Sequence, residues 1–216
     1  MDIKIFSKNR AFTFSNIATF LNYSPTFAIG FLLSLYLQYI RGLSPQHAGA
    51  ILMVQPAIQT VLSPFAGWLS DKIEPRTVAS FGIGMILLGL ILLFSLKEST
   101  TLIFIIAGLL VLGAGFAFFS SPNTNAIMCS VSRRFYGTAS AFLATMRLTG
   151  QMFSMVLVMF VFSVLMGSAG IYEAKEKFLA SMKISFILFI LICVIGLYFS
   201  IARGKIKTSL KTEFEI

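Results

Sequence analysis

Long uncharged stretches alternate with short charged ones along this chain. No residue carries a formal charge from Ala11 to Ile40, from Gly42 to Ser70, or from Thr77 to Leu96. A helix needs about 20 apolar residues to cross a hydrocarbon core roughly 30 Å thick. Each of these stretches therefore predicts a transmembrane helix.

The same pattern predicts six membrane spans in a bundle that covers residues 11–202. Strands of a membrane barrel would alternate polar and apolar residues over about ten positions, and these stretches are longer and more uniformly apolar. Four prolines, Pro25, Pro56, Pro64 and Pro122, fall within or at the ends of spans, where each removes a backbone hydrogen bond and can kink the helix. The predicted fold is an all-α integral membrane protein with spans at about 12–39, 47–70, 77–96, 102–128, 137–166 and 181–202.

Composition supports a membrane protein and excludes several other classes. Apolar residues make up 57% of the 216 positions, and the 23 phenylalanines add more apolar surface than one soluble core could cover. Cys129 and Cys193 lie far apart, with no CxxC spacing and no neighbouring histidine, so they predict neither a disulfide framework nor a metal site. The net charge of +9 is spread over loops and a tail. We therefore predict no metal, no cofactor and no nucleic-acid partner.

Lysine and arginine predict the orientation. Six spans place both termini on one side, and that side holds eleven basic residues against five on the other, with Arg147 inside a span. By the positive-inside rule both termini are cytoplasmic, in a plasma (inner) membrane. Residues 1–10 then form a cytoplasmic N-terminal segment, and residues 203–216 form a basic cytoplasmic tail. The five opposite residues are Arg41, Lys97, Lys175, Lys177 and Lys183.

The segment GWLSDKIEPR, residues 67–76, places four charges in a short connection between spans 2 and 3. Gly67 allows a neighbouring helix to approach, and Asp71 at the helix end can accept hydrogen bonds from an arginine or from a facing helix N-terminus. This favours a latch at a helix junction, formed by Gly67, Asp71, Lys72 and Arg76. The alternative is that a tight cytoplasmic loop simply collects charges.

Several motifs resemble a known transporter family. Gly67, Leu69, Asp71, Lys72 and Arg76 match the loop signature between the second and third helices of the major facilitator superfamily. Glu74 and Pro75 stand where a glycine and a basic residue are usual, so the signature resembles the weaker copy in the C-terminal half of such transporters. Residues 31–56 and 130–151 resemble the later helices of the fourteen-span drug:proton antiporters, the multidrug-efflux type. The first residues, MDIKIFSKNRAF, resemble a loop that precedes a later helix of a longer protein.

The resemblance implies one six-helix half of a major facilitator fold, which exports drug-like hydrophobic or cationic compounds by alternating access. The substrate would pass between two halves, near the membrane midplane. Arg147 lies about 15 Å into span 5, Gln151 follows one turn later, and Gln55 and Gln59 face one side of span 2. With Asn22 of span 1, these are the candidate cavity-wall residues. The alternatives are a structural arginine bonded to carbonyl groups, and amides that only pack helices.

No predicted span contains an aspartate or glutamate, so a proton-coupling carboxylate would have to lie in another half. The expected partners are the bilayer, a small-molecule substrate, and an N-terminal transporter half or a second copy of the chain. The alternative function is a non-transporting membrane subunit, or a truncated remnant, that packs against a partner half. An enzyme is not expected, because the one histidine, His47, lies in a loop. Asn123 and Asn125 are interpreted as cap or loop residues near the end of span 4.

Overall fold

The computed structural model describes residues 9–167 and 174–204, and within these ranges the chain is helical with no strand. The α-helices of these ranges are α1 (Arg10–Leu35), α2 (Pro45–Leu52), α3 (Val54–Lys72), α4 (Pro75–Phe94), α5 (Leu102–Cys129), α6 (Tyr136–Leu165) and α7 (Lys175–Ala202). Among the described residues, six segments are long and apolar enough to cross a membrane. The first span consists of α1 and the π-helical segment Tyr36–Ile40 that follows it, α2 and α3 together form the second span, and each later helix forms one.

The predicted six-span fold is confirmed, but two helices have ends that differ from the predicted ones. Helix α7 begins at Lys175, ahead of the predicted residue 181, and α3 ends at Lys72, so that Asp71 lies in a helical turn and not in a loop. An uncharged stretch marks the part of a helix that lipid surrounds. Backbone hydrogen bonding continues beyond it, because charged side chains at a helix end can reach water.

The second span is interrupted at Met53. Pro56 has no N–H group to donate to the carbonyl oxygen of Leu52, so the regular α-helical ladder lacks one bond at this point. Helical bonds continue on either side, from Met53 N to Gly49 O and from Ala57 N to Met53 O, both at 3.0 Å. The other three prolines, Pro25, Pro64 and Pro122, lie inside helices that continue through them.

The packing of the bundle repeats between its first and last three spans. Helix α5 packs on α4 and α3, and α1 correspondingly packs on α7 and α6, while α4 and α7 pack on each other. Exchanging each span with the one three positions later reproduces these contacts, as expected for two three-helix repeats within one half. Helices α1 and α5 are the most buried, and the spans containing α3 and α6 are the most exposed.

Glycines permit the closest of these contacts, between α4 and α5. A Cβ atom added to Gly82 would lie 2.4 Å from the backbone nitrogen of Phe119, and one added to Gly115 would lie 2.7 Å from that of Ile86. Both distances are shorter than any allowed contact. The small residues that the sequence places in these spans therefore serve helix packing.

Candidate functional site

Arg147 lies where α6 faces α1. Its guanidinium carbon is 4.7 Å from the centre of the Tyr23 ring, which is a cation–π contact. Tyr23 is almost fully buried, and its hydroxyl donates to Ser120 Oγ of α5 at 2.8 Å. The Arg147 Nε atom is buried without a hydrogen-bond partner in the described part of the chain, although the side chain as a whole is only half-buried. Arg147 therefore keeps hydrogen-bonding capacity that a ligand, water or a partner could use.

Three of the other predicted cavity-wall residues are half-buried on the two most exposed spans. Gln151 follows Arg147 by one turn of α6. Gln55 and Gln59 lie on α3, where Gln55 Nε2 donates to Gln59 Oε1 at 3.3 Å. Within the described ranges, no hydrogen bond joins the pair on α3 to the pair on α6. The structure thus places these residues on two flanks of the half, separated by the central helices.

Asn22, the fifth predicted residue, lies elsewhere. It is fully buried, and its amide donates to Ala18 O at 2.8 Å. A Cβ atom added to Gly196 of α7 would lie 2.5 Å from Asn22 Nδ2, so the side chain is wedged between α1 and α7. This position favours the helix-packing interpretation of Asn22 over the cavity interpretation.

Two of the latch residues meet α5. Gly67 lies against Ser121, whose Oγ would be 3.0 Å from a Cβ atom at that position. Asp71 Oδ1 accepts a hydrogen bond from Asn125 Nδ2 at 3.2 Å, and the same amide donates to Ser70 Oγ. In this half, the described partner of Asp71 is therefore an amide of α5 and not an arginine.

The other two latch residues point away from Asp71. Lys72 Nζ lies 3.8 Å from the centre of the exposed Trp68 ring. Arg76 lies 3.7 Å from a carboxylate oxygen of Glu74 and donates to Ile201 O at the end of α7. The structure therefore divides the predicted latch into an α3–α5 contact and an α4–α7 contact.

A groove of about 450 Å³ opens between α3 and α5 beside Asp71. Seven of its eight lining residues carry a polar side chain. We call it the α3–α5 groove, and its residues are Ser63, Gly67, Ser70, Asp71, Ser120, Ser121, Thr124 and Asn125.

Arg203, the first residue of the predicted basic cytoplasmic tail, packs into the end of the bundle. Arg203 is 2% exposed, and its Nη1 atom donates to Ser15 Oγ and Asn123 Oδ1, both at 3.1 Å. It thereby joins α1, α5 and the end of α7. Burial, reinforced by the nearby charge of Arg76, lowers the pKa of the Arg203 guanidinium to about 10. The side chain remains charged at physiological pH.

Asn123 and Asn125 are likewise neither caps nor loop residues. Both lie inside α5, and Asn123 is buried. Asn123 Nδ2 donates to Thr19 Oγ1 at 2.8 Å and to Ser15 O at 3.3 Å. These partners are more than a hundred positions away in the sequence, so no local pattern indicates them.

Comparison with known proteins fits this fold. The Major Facilitator Superfamily profile matches residues 16–214. The chain belongs to this superfamily. It is a multi-pass membrane protein from a family of transporters, not of enzymes, and the six membrane-spanning segments of its described residues correspond to half of the family fold.

Several curated relatives are similar over parts of the chain. The riboflavin transporter RibZ of Clostridioides difficile is 36% identical over 147 residues, which cover 68% of this chain and 32% of RibZ. The multidrug resistance protein Stp of Mycobacterium tuberculosis is 32% identical over 116 residues, covering 53% and 21%. The multidrug efflux pump LfrA of Mycolicibacterium smegmatis is 27% identical over 141 residues, covering 65% and 28%. The match thus spans about a third of these relatives or less.

Proposed function

We propose that this chain forms one half of an exporter, which moves drug-like hydrophobic or cationic small molecules across the plasma (inner) membrane by alternating access. Family membership supports transport, and relatives named as multidrug resistance and efflux proteins support the substrate class. The second half would be an N-terminal transporter half or a second copy of this chain.

The observation that carries this proposal is the environment of Arg147. A cation within a span is costly, and its contact with Tyr23 leaves the Nε atom without an acceptor among the described residues. Its half-buried position on a flank of the bundle would place it at the wall of a cavity shared with the second half. Gln151, on the same flank as Arg147, would supply a further hydrogen bond to a substrate. Gln55 and Gln59 would supply hydrogen bonds from the other flank, on α3.

The largely exposed spans that contain α3 and α6 would receive the second half. The two halves of this family are related by an axis normal to the membrane, so a second copy could pair in the same way. Gly67 and Asp71 would form the latch at that junction, beside the exposed Lys72 and the half-buried Arg76. In this arrangement both termini are cytoplasmic.

Proton coupling, if present, would come from the second half. Within the described helices the acidic residues are Asp71 and Glu176, each in a terminal turn. A proton-exchanging carboxylate in a transporter lies inside the membrane, where burial raises its pKa towards neutrality. We therefore expect self-paired chains to assemble without proton-driven export.

The exposed flanks favour a second candidate. A chain whose spans containing α3 and α6 are largely exposed could also serve as a non-transporting subunit that packs on a partner half. The two functions differ in whether transport depends on Arg147.

The test combines the mass of the purified complex with drug-dependent proton flux. The chain is purified in detergent, its mass is measured by light scattering, and it is reconstituted in vesicles alone and with a candidate N-terminal half. We expect flux only with the second half, and loss of that flux in Arg147→Leu. Flux from a six-helix monomer would contradict the proposal, and Arg147-independent flux would favour the subunit.

A further inference from the structure

The polar groups that line the α3–α5 groove are mostly hydrogen-bond acceptors. A serine or threonine hydroxyl has one proton to donate and two lone pairs that accept. Three of the five hydroxyls already donate their proton to a backbone carbonyl: Ser63 to Gln59, Ser70 to Gly67 and Thr124 to Ser120, at 2.6–2.8 Å. Their remaining capacity in the groove is to accept.

The amide of the groove has also used its donors. Asn125 Nδ2 donates to both Ser70 Oγ and Asp71 Oδ1. Ser120 Oγ accepts from Tyr23, so the hydroxyl protons of Ser120 and Ser121 are the donors left in the lining. Against these stand the lone pairs of the other hydroxyls and the carboxylate of Asp71.

Asp71 is the one charged residue in the lining of the groove. Its Oδ2 atom accepts no hydrogen bond from the described residues, and no cation there forms an ion pair with it. The two adjacent cations have other partners, since Lys72 lies over Trp68 and Arg76 lies beside Glu74. A group that combines positive charge with several N–H donors would therefore complement the lining.

We propose that the α3–α5 groove binds the primary ammonium group of a small organic cation, with Asp71 as its counter-ion and the hydroxyl oxygens of Ser70 and Thr124 as acceptors. An ammonium group offers three donors and no acceptor, which matches the acceptor surplus. The groove adjoins the Arg147 contact, because its lining residue Ser120 accepts a hydrogen bond from Tyr23, but cation binding there can be measured without transport. Asp71 would then have two roles, as a latch residue and as a cation ligand. A bound cation would occupy Oδ2, the oxygen that a partner half could otherwise contact.

The size of the groove favours an organic cation over a metal ion. Small-molecule sites have volumes of about 300–1,000 Å³, and the groove has about 450 Å³. A calcium site instead needs six to eight oxygens at roughly 2.3–2.6 Å, usually with several carboxylates. The described residues contain no group of three or more acidic, cysteine or histidine side chains that could hold a metal.

The first experiment compares two dications of equal charge by calorimetry on the full chain purified in detergent. Cadaverine carries two primary ammonium groups, and pentamethonium carries quaternary groups without N–H donors on a chain of the same length. We expect cadaverine to bind at least about tenfold more tightly. Equal affinities for the two dications would overturn the proposal, because charge alone would then explain binding. Failure of cadaverine to bind would also overturn it.

Matched variants locate the site. Asp71→Asn keeps an oxygen for Asn125 and removes the charge, and should weaken cadaverine binding at least about tenfold. Glu74→Gln removes the same charge three residues later, outside the groove, and should change the affinity less than about twofold. Equal effects of both variants would overturn the proposal, as would unchanged affinity in Asp71→Asn.

Two further arms cover folding and metal ions. Thr124→Val keeps the shape of the side chain and removes one acceptor, so cadaverine affinity should fall even if Asp71→Asn does not fold. Unchanged affinity in Thr124→Val would contradict the hydroxyl role. Competition with salts at equal ionic strength tests for a metal ion. If sodium or potassium chloride displaces cadaverine more strongly than choline chloride does, the groove binds a metal cation and the proposal is wrong.

Discussion

The guanidinium carbon of Arg147 lies 4.7 Å from the centre of the Tyr23 ring, and this contact joins α6 to α1. Tyr23 extends the connection to α5 through its hydrogen bond to Ser120. A cation–π contact contributes about 0.5–2 kcal/mol, whereas an arginine at the centre of a membrane helix costs about 2.5–3.5 kcal/mol or more. The tyrosine alone therefore does not offset the cost of placing Arg147 in the span.

Substitution of Arg147 tests whether the residue serves transport or folding. Arg147→Leu should leave the Tm of the detergent-purified chain within a few degrees of the original and abolish export by a complex that contains it, because leucine suits the membrane but offers no hydrogen bonds. Tyr23→Phe is the matched control, since it keeps the ring under the guanidinium and loses the bond to Ser120. It should reduce export much less. Loss of the folded protein in Arg147→Leu would favour a structural arginine.

Two glycines of α4 provide a test of helix packing. Gly82→Ala would place a methyl group 2.4 Å from the backbone of Phe119, and should lower the free energy of unfolding by about 1–3 kcal/mol as α4 and α5 move apart. Gly84 has nothing within 4 Å of an added Cβ atom, so Gly84→Ala should be neutral or stabilise the helix by up to about 1 kcal/mol. Thermal unfolding of both variants measures the difference. A similar Tm for the two would contradict the close packing.

Arg203 should contribute to stability although it follows the last span. Arg203→Ala leaves Asn123 Oδ1 and Ser15 Oγ without this donor and should lower the free energy of unfolding by about 1.5–3 kcal/mol. Arg134→Ala removes an equal charge at an exposed position near the same end of the bundle and should change it by less than about 0.5 kcal/mol. Equal Tm values for the two variants would show that the buried bonds contribute nothing.

The pH dependence of this effect follows from the pKa of Arg203. Burial lowers that pKa from its ordinary value to about 10, so the folded chain binds this proton less tightly than the unfolded chain does. The penalty for the buried charge is full below about pH 10 and diminishes as pH rises above that value, where stability from this group increases with pH. The difference in Tm between Arg203→Ala and the original chain should therefore be the same at pH 7 and at pH 9.

The fold was predictable because lipid imposes a simple requirement on the backbone. A spanning segment must satisfy its own hydrogen bonds, so an uncharged apolar stretch of sufficient length implies a helix whatever its neighbours are. The break at Met53 is also local, since Pro56 removes a bond within its own turn. Arg147 could be selected as a candidate residue from the sequence because it is a single cation inside an apolar stretch.

The polar contacts between helices were not predictable in the same way. An arginine that follows an apolar stretch ordinarily lies at the membrane surface, and nothing near Arg203 indicates that it turns inward to Ser15 and Asn123. The acceptor surplus of the α3–α5 groove depends on which hydroxyls face each other across two helices. Such pairings arise from packing between distant segments, which a single sequence does not specify.

Orientation in the membrane is the last prediction, and single cysteines can test it. Basic residues are more numerous at the end of the bundle that holds both termini, so that end should be cytoplasmic, with Lys72 inside and Lys97 outside. Both side chains are exposed, which makes them comparable labelling sites once Cys129 and Cys193 are replaced by serine and alanine. An impermeant thiol reagent added to intact cells should label Lys97→Cys and not Lys72→Cys, whereas opened membranes should give labelling at both. Labelling of intact cells at position 72 but not at 97 would reverse the orientation and move the α3–α5 groove to the outer surface.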